Sequence, residues 1–248
     1  MNLDLKRYLK KPLFIALEGL DGVGKSTQAK LLCDMLNNEG ITTTITAEAK
    51  GTPIADVIRS EYLSGKRSVS NMVNALAFSA DRYDRFTEEE GGVITRLKWG
   101  ESVIADRWVL SSLVYSASDI PIGDDDQIHD RMSMMMDINS SLVSEVMKYA
   151  QTVIIFITYD PKYADKFLVR INNRGGQEIY ETADKQMALH ELYDKAVLKY
   201  GGMCYEISVT PDMAINELHQ QITDLIVNRI IIGNHYTSLN EMQWKGQN

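Results

Sequence analysis

The chain has 248 residues, 44% of them hydrophobic, and 26 basic against 34 acidic side chains give a net charge of −8. That size and apolar fraction support a substantial core in a single domain, and the acidic balance argues against a protein that coats a polyanion, so nucleic acid is not an expected partner. The opening MNLDLKRYLKKPLF lacks an uninterrupted apolar region, no stretch reaches membrane-spanning length, and Cys33 and Cys204 lack metal-type spacing. A soluble, cytoplasmic protein with reduced thiols and no membrane contact is expected.

Leu13 to Leu17 (LFIAL) reads as a short buried strand, and from Lys25 to Leu36 the apolar residues Ala29, Leu32, Cys33 and Leu36 recur at helical spacing. Between them Gly19 to Thr27 (GLDGVGKST) is a complete G-x-x-x-x-G-K-[ST] phosphate loop. Its strand-to-helix setting is what the mechanism needs: amide N–H groups freed by the glycines and by the helix N-terminus point at an anion. Gly19, Asp21, Gly22, Gly24, Lys25, Ser26 and Thr27 are therefore the expected nucleotide-binding set. Lys25 is expected to reach the outer phosphates, and Ser26 to hold Mg²⁺.

Thr42 to Ala47 reads as a second strand, and Ile54 to Leu63 as a helix entered through Thr52-Pro53. A long helical tract follows from about Ser70 to Trp99, interrupted near Gly91-Gly92. Ser102 to Ala105 is a third strand ending in Asp106-Arg107, and residues 119–126, with Pro121, Gly123 and three successive aspartates, read as a loop. Thr152 to Ile157 (TVIIFI) and Cys204 to Val209 complete five strands. Strands alternating with helices predict an α/β fold of the P-loop NTPase type: three layers, a five-stranded parallel sheet flanked by helices, and ligands beyond the carboxyl ends of the strands. The expected organisation is one domain over residues 1–232 and a C-terminal tail over 233–248. Asp124 to Asp126 and the methionines at 132 and 134–136 read as a solvated face and as helix packing, and the four histidines have no ligand spacing.

A phosphate loop serves GTPases, ATPases and small-molecule kinases alike. No N-K-x-D guanine reader is present, and the strand TVIIFI runs into Thr158-Tyr159 rather than a metal-binding Asp, which leaves Asp106 as the well-placed carboxylate. The chain offers arginines at strand ends instead. Transfer between two phosphates needs them, because two polyanions must be held together while the migrating charge is compensated.

Over roughly residues 12 to 227 the chain resembles the thymidylate kinases. The resemblance rests on Asp21 within the loop, on Ala47 to Pro53 (AEAKGTP) after the second strand, and on Phe78-Ser79-Ala80-Asp81-Arg82. It rests further on Asp106-Arg107-Trp108 followed by Ser111-Ser112 and Tyr115, and on Arg174 to Glu181 (RGGQEIYE) as an arginine-bearing lid. It implies a short mobile lid at about 170–182, ATP and Mg²⁺ as donor and cofactor, dTMP as acceptor and a homodimer with contact faces near residues 69–85 and 130–149. By the same resemblance Asp21 accepts the sugar 3′-hydroxyl, and Phe78 and Arg82, four residues apart on one helix face, stack on the pyrimidine and donate to its carbonyl edge. Arg107 grips the acceptor phosphate, Asp106 orients it or bridges to Mg²⁺, and Ser112 and Tyr115 line the acceptor, the tyrosine against the deoxyribose.

The chain departs from the family pattern at Ala47 and Ala49, where Arg and Pro are frequent, so Lys50 is the expected substitute cation, and at Gly22 and Ile179, which leaves Arg174 and Arg170 as candidates for the catalytic lid arginine. Two alternatives stay open at this point: a kinase for another 5-substituted dUMP, such as 5-hydroxymethyl-dUMP, and a P-loop ATPase acting as a partner-switching protein.

Overall fold

All seven residues of the first strand, β1 (Leu13–Gly19), are buried, which requires cover on both faces of the sheet. The computed structural model describes residues 5–172, 183–200 and 203–233. The other strands are β2 (Thr43–Ala47), β3 (Ser102–Asp106), β4 (Gln151–Tyr159) and β5 (Cys204–Val209). They form one parallel sheet in the order β2-β3-β1-β4-β5, with Leu17 level with Asp106 and Gly19 level with Ile157. Parallel strands all end on the same edge. The loops after β1, β2, β3 and β4 therefore converge there, and they carry the residues singled out above.

Helices α1 (Lys25–Asn38), α2 (Pro53–Val57), α3 (Asn71–Thr87), α4 (Val93–Lys98), α5 (Val109–Ala117), α6 (Asp125–Tyr149), α7 (Ala164–Asn172), α8 (Ala183–Tyr200) and α9 (Ile215–Asp224) cover the sheet. Helix α1 packs on β1, β2 and β3 beside α9, whereas α4, α5 and α6 pack on β3, β1 and β4, with α3 laid over α5. Phe14 of β1 anchors the second group, meeting Trp108 edge-on at 4.8 Å and Phe86 at 5.8 Å.

Local chemistry sets the boundaries. Thr52 caps α2 by accepting from the Ala55 amide at 2.9 Å, and the helix continues as a π-helical turn over Ile58–Leu63. The break between α3 and α4 falls at Gly92, where a Cβ would lie 2.5 Å from the Glu88 carbonyl oxygen. Two expectations need correction. The acidic run is a helix start rather than a loop through residue 126: Asp124 accepts from the Gln127 amide, and Asp125 and Asp126 sit in the first turn of α6, where carboxylates complement the helix dipole. Strand β4 runs two residues past Ile157, because Thr158 and Tyr159 are also buried and pair with Ser208 and Val209. The methionines pack as expected, with Met132 and Met135 buried in α6, and both cysteines are free.

Candidate active site

The phosphate loop is shaped by backbone that only glycine adopts readily. Gly19, Gly22 and Gly24 have φ of 135°, 80° and 101°, and a Cβ at Gly19 would lie 2.0 Å from the Ile157 carbonyl oxygen, so β1 and β4 meet there without room for a side chain. Lys25 opens α1 and is 6% exposed. Its ammonium donates to the Leu20 carbonyl at 2.5 Å and lies 4.0 Å from Asp21. Burial, with the Arg107 charge adding to it, pulls its pKa down to about 8. Ser26 donates its hydroxyl to the Asp106 carboxylate at 2.5 Å. An alcohol and a carboxylate converging beside a phosphate loop are an oxygen-only donor pair that fits Mg²⁺, an ion that binds few protein groups and keeps waters and phosphate oxygens.

Arg107 has a left-handed backbone (φ 72°), alone among the described non-glycine residues. Such a conformation costs roughly 1–3 kcal/mol and persists where the surroundings overdetermine it. They do here. Its amide donates to Leu17 O at 3.0 Å, and its guanidinium donates to Gly19 O at 2.9 Å, to Ser111 Oγ and Tyr193 OH at 3.1 Å each, and to the Asp21 carboxylate. Behind it lies Glu18, fully buried, whose Oε1 accepts from the Trp108 and Ser111 amides at 2.8 and 3.1 Å, while Oε2 accepts from Ser111 Oγ at 2.5 Å. The last residue but one of β1 thus caps α5 across the sheet and fixes the segment that bears Arg107. Desolvation raises the Glu18 pKa. Burial also pushes Asp21 up, but Arg107 and Lys25 outweigh it, so the Asp21 carboxyl is held below its usual range. Helix α8 closes this cluster: Gln186 accepts from the Asp21 amide at 3.3 Å and donates to its carboxylate at 3.2 Å, and Tyr193 reaches Arg107 from two turns further on.

From Asp21 and Arg107 a cleft opens toward α3, about 670 Å³ including the open space at its mouth. Phe78, Tyr115, Ser111 and Ser112 line it, together with Glu48, Ala49, Arg59, Leu63, Asn74 and Ala75. The Tyr115 ring lies 5.5 Å from the Arg107 guanidinium carbon. Arg82 sits one layer deeper. It is fully buried, pairs with Glu48, and donates to Asn139 Oδ1 at 2.7 Å, Trp108 O at 3.2 Å and Ser112 Oγ at 2.8 Å. Phe78 therefore meets the cleft directly, and Arg82 backs the two polar wall residues Glu48 and Ser112.

Lys50 does not occupy the place expected of it. Ala49 is buried and turns toward the cleft, so the next residue, Lys50, points outward into solvent, and the wall takes its cation instead from Arg59, whose Nε donates to Ala49 O at 2.5 Å. Arg170 is not a cleft residue either: it donates to Pro211 O at 2.6 Å and stacks over Phe167, tying α7 to the connection after β5. Arg174 and the lid segment 173–182 lie outside the described residues, as does the tail from residue 234. Sequence reasoning missed Glu18, Glu48, Arg59, Asn74, Gln186 and Tyr193. Arg59 had a readable signal, a basic residue one and a half turns into a helix opened by Thr-Pro. Gln186 and Tyr193 had none, since only the fold brings α8 to the loop.

A parallel sheet with a glycine-shaped anion loop after its central strand, a cation inside that loop, and an arginine-held cleft opening beside it define a P-loop kinase. A family model described as thymidylate kinase matches residues 17–222. The chain belongs to the thymidylate kinase family. It is 29% identical over 216 residues to the thymidylate kinase of Plasmodium falciparum, covering 86% of this chain and 89% of that protein. It is 39% identical over 110 residues to a protein of Thermococcus kodakarensis described as "Probable thymidylate kinase", a match that spans 42% of this chain and about half, 52%, of the relative. The solved thymidylate kinase of Candida albicans superposes with a TM-score of 0.66 over 91% of this chain and 94% of its own at 22% identity, a likeness of fold.

Proposed function

We propose that the protein phosphorylates dTMP to dTDP, with ATP as the donor and Mg²⁺ as the cofactor. The observation that carries this reading is the direct junction of loop and cleft through the Asp21–Arg107 pair, which sets a donor phosphate and an acceptor nucleotide side by side. Lys25 and Arg107 neutralise the charge that spreads over the migrating phosphoryl group. The acceptor phosphate is already ionised near neutral pH, so no general base is required. Ser26 and the carboxylate of Asp106 would hold Mg²⁺, which would supply positive charge against the donor phosphates. Arg59 and Arg107 hold the acceptor phosphate, Asp21 takes the 3′-hydroxyl, Tyr115 packs on the deoxyribose, and the base stacks on Phe78 with its carbonyl edge toward Ser112 and the Arg82 behind it. Arg174, in the lid, is the candidate for the arginine that arrives with closure.

Ser112 Oγ already accepts from Arg82, which directs its own hydroxyl proton toward a pyrimidine 4-carbonyl; a 4-amino group in that place loses this bond, at roughly 1–3 kcal/mol, so kcat/KM for dTMP should exceed that for dCMP by at least about tenfold. ADP release measured with dTMP, dUMP, dCMP, dAMP and dGMP tests the whole reading: release that ignores the monophosphate points to an ATPase switch, and equal rates with dAMP or dGMP remove the pyrimidine assignment. A cytoplasmic homodimer is part of the same proposal. Val73 and Leu76 on α3 and Met134 and Ile138 on α6 are exposed apolar side chains on two helices that touch each other, a patch suited to a second copy. Among the described residues no helix is long and apolar enough to cross a membrane.

A further inference from the structure

One wall residue of the cleft has a chemistry that neither stacking nor phosphate binding uses. Asn74 lies in the first turn of α3, lines the cleft and is only 3% exposed, on a lining that also includes the apolar Leu63, Ala75 and Phe78. Asn74, Phe78 and Arg82 are spaced i, i+4, i+8 and form one stripe on α3, about 12 Å from first to last at 1.5 Å per residue. Phe78 sits in the middle. A pyrimidine stacked on it, with its carbonyl-bearing edge toward Ser112 and Arg82, turns the opposite C5–C6 edge toward Asn74.

The 5-substituent therefore meets an amide. A thymine methyl is served as well or better by Leu or Ala at such a position, because burying an amide among apolar groups is unfavourable unless hydrogen bonds compensate it. A hydroxyl is different: it donates once and accepts twice, and an Asn amide, with two N–H donors and two lone pairs, can serve a protein neighbour and a ligand hydroxyl at once. We propose that Asn74 is a specificity-determining residue that selects pyrimidine deoxynucleoside monophosphates bearing a hydrogen-bonding group at the 5-position, with 5-hydroxymethyl-dUMP the simplest such acceptor. This inference rests on the pyrimidine-kinase reading above.

The test compares kcat/KM for dTMP, dUMP and 5-hydroxymethyl-dUMP in the full-length wild type, Asn74→Leu and Asn74→Ala. The wild type should use 5-hydroxymethyl-dUMP at least as well as dTMP, and Asn74→Leu should lower the ratio of the two by tenfold or more, with Asn74→Ala moving it the same way. A wild type that prefers dTMP by tenfold overturns the inference even if neither variant folds. So does a ratio that stays within twofold across the variants while pyrimidine phosphorylation persists, which leaves the parent reading intact. Failure to phosphorylate any of the three overturns both readings together.

Discussion

The phosphate loop and the acceptor cleft meet at Asp21 but are made in opposite ways. The loop is backbone chemistry within nine consecutive residues, Gly19 to Thr27, whose glycines hold positive φ and whose strand and helix flank it directly. The cleft is side-chain chemistry gathered from the ends of β1, β2 and β3, from the π-helical turn after α2 and from α3, α5 and α8, with partners that can lie far apart in sequence: Arg82 is 34 positions from Glu48, and Gln186 is 165 from Asp21. A backbone device tolerates little change in its main chain and depends on few neighbours. A side-chain device can lose one contact and keep its shape.

The sharpest way to break the loop is Gly19→Ala. A Cβ there meets backbone atoms of Ile157, which cannot rotate away, in a conformation that alanine disfavours, so a loss of roughly 4 kcal/mol or more is expected. Thermal unfolding should show a drop beyond 10 °C or no folded protein. Gly24→Ala sharpens the contrast, because its Cβ would meet only Leu218 Cδ2 at 3.9 Å and the strain of φ 101° remains alone, at about 1–2 kcal/mol. Equal destabilisation by the two would contradict the account of the β1–β4 contact.

Next comes Lys25→Ala, which should leave unfolding nearly unchanged while lowering kcat by hundreds-fold, about 3 kcal/mol or beyond, because the ammonium acts most strongly on transition-state charge. Near-normal turnover would remove the loop from the mechanism. On the cleft side, Arg59→Ala should raise KM for dTMP about 30-fold, about 2 kcal/mol, with kcat reduced less, the pattern of a group that binds the acceptor in ground and transition states alike. A fall in kcat with KM unchanged would instead make Arg59 a transition-state group.

This difference in construction also decides what could be read from sequence. Five strands, the loop, Ser26 with Asp106, and the Phe78, Ser112 and Tyr115 segments were legible, since each is announced by a local pattern or by a motif in order. Lys50 is the nearest cation to the altered segment in sequence but not in space, because strand-exit geometry buries Ala49 and turns Lys50 away. Arg82 was legible as the companion of Phe78 on one helix face but not as a residue buried behind the wall, because its depth is set by Asn139 on α6, 57 residues away. The acidic run is ambiguous in sequence, because Pro121, Gly123 and successive aspartates suit a loop and a helix start alike, and the bond from the Gln127 amide to Asp124 decides for the helix.

The smallest effect tests the electrostatic link between the two regions. Lys25 has its pKa drawn down to about 8, chiefly by burial and then by Arg107. Donor phosphates are negative and favour the charged form, so the pKa must rise when nucleotide binds. The free protein then holds fewer protons on Lys25 than the complex above pH 8, and binding takes up as much as one proton. The sign follows: the affinity for ATP is level near pH 7 and falls as pH rises through 8, by about tenfold per unit at most, about 1.4 kcal/mol. Calorimetry from pH 7 to 9.5 in buffers of different ionisation enthalpy measures both the slope and the proton uptake. Lys25→Arg keeps its charge across that range and should bind with no such slope. A wild type whose affinity stays flat to pH 9.5, or a Lys25→Arg variant with the same slope, would show that burial and Arg107 do not depress this lysine, and that loop and cleft titrate independently.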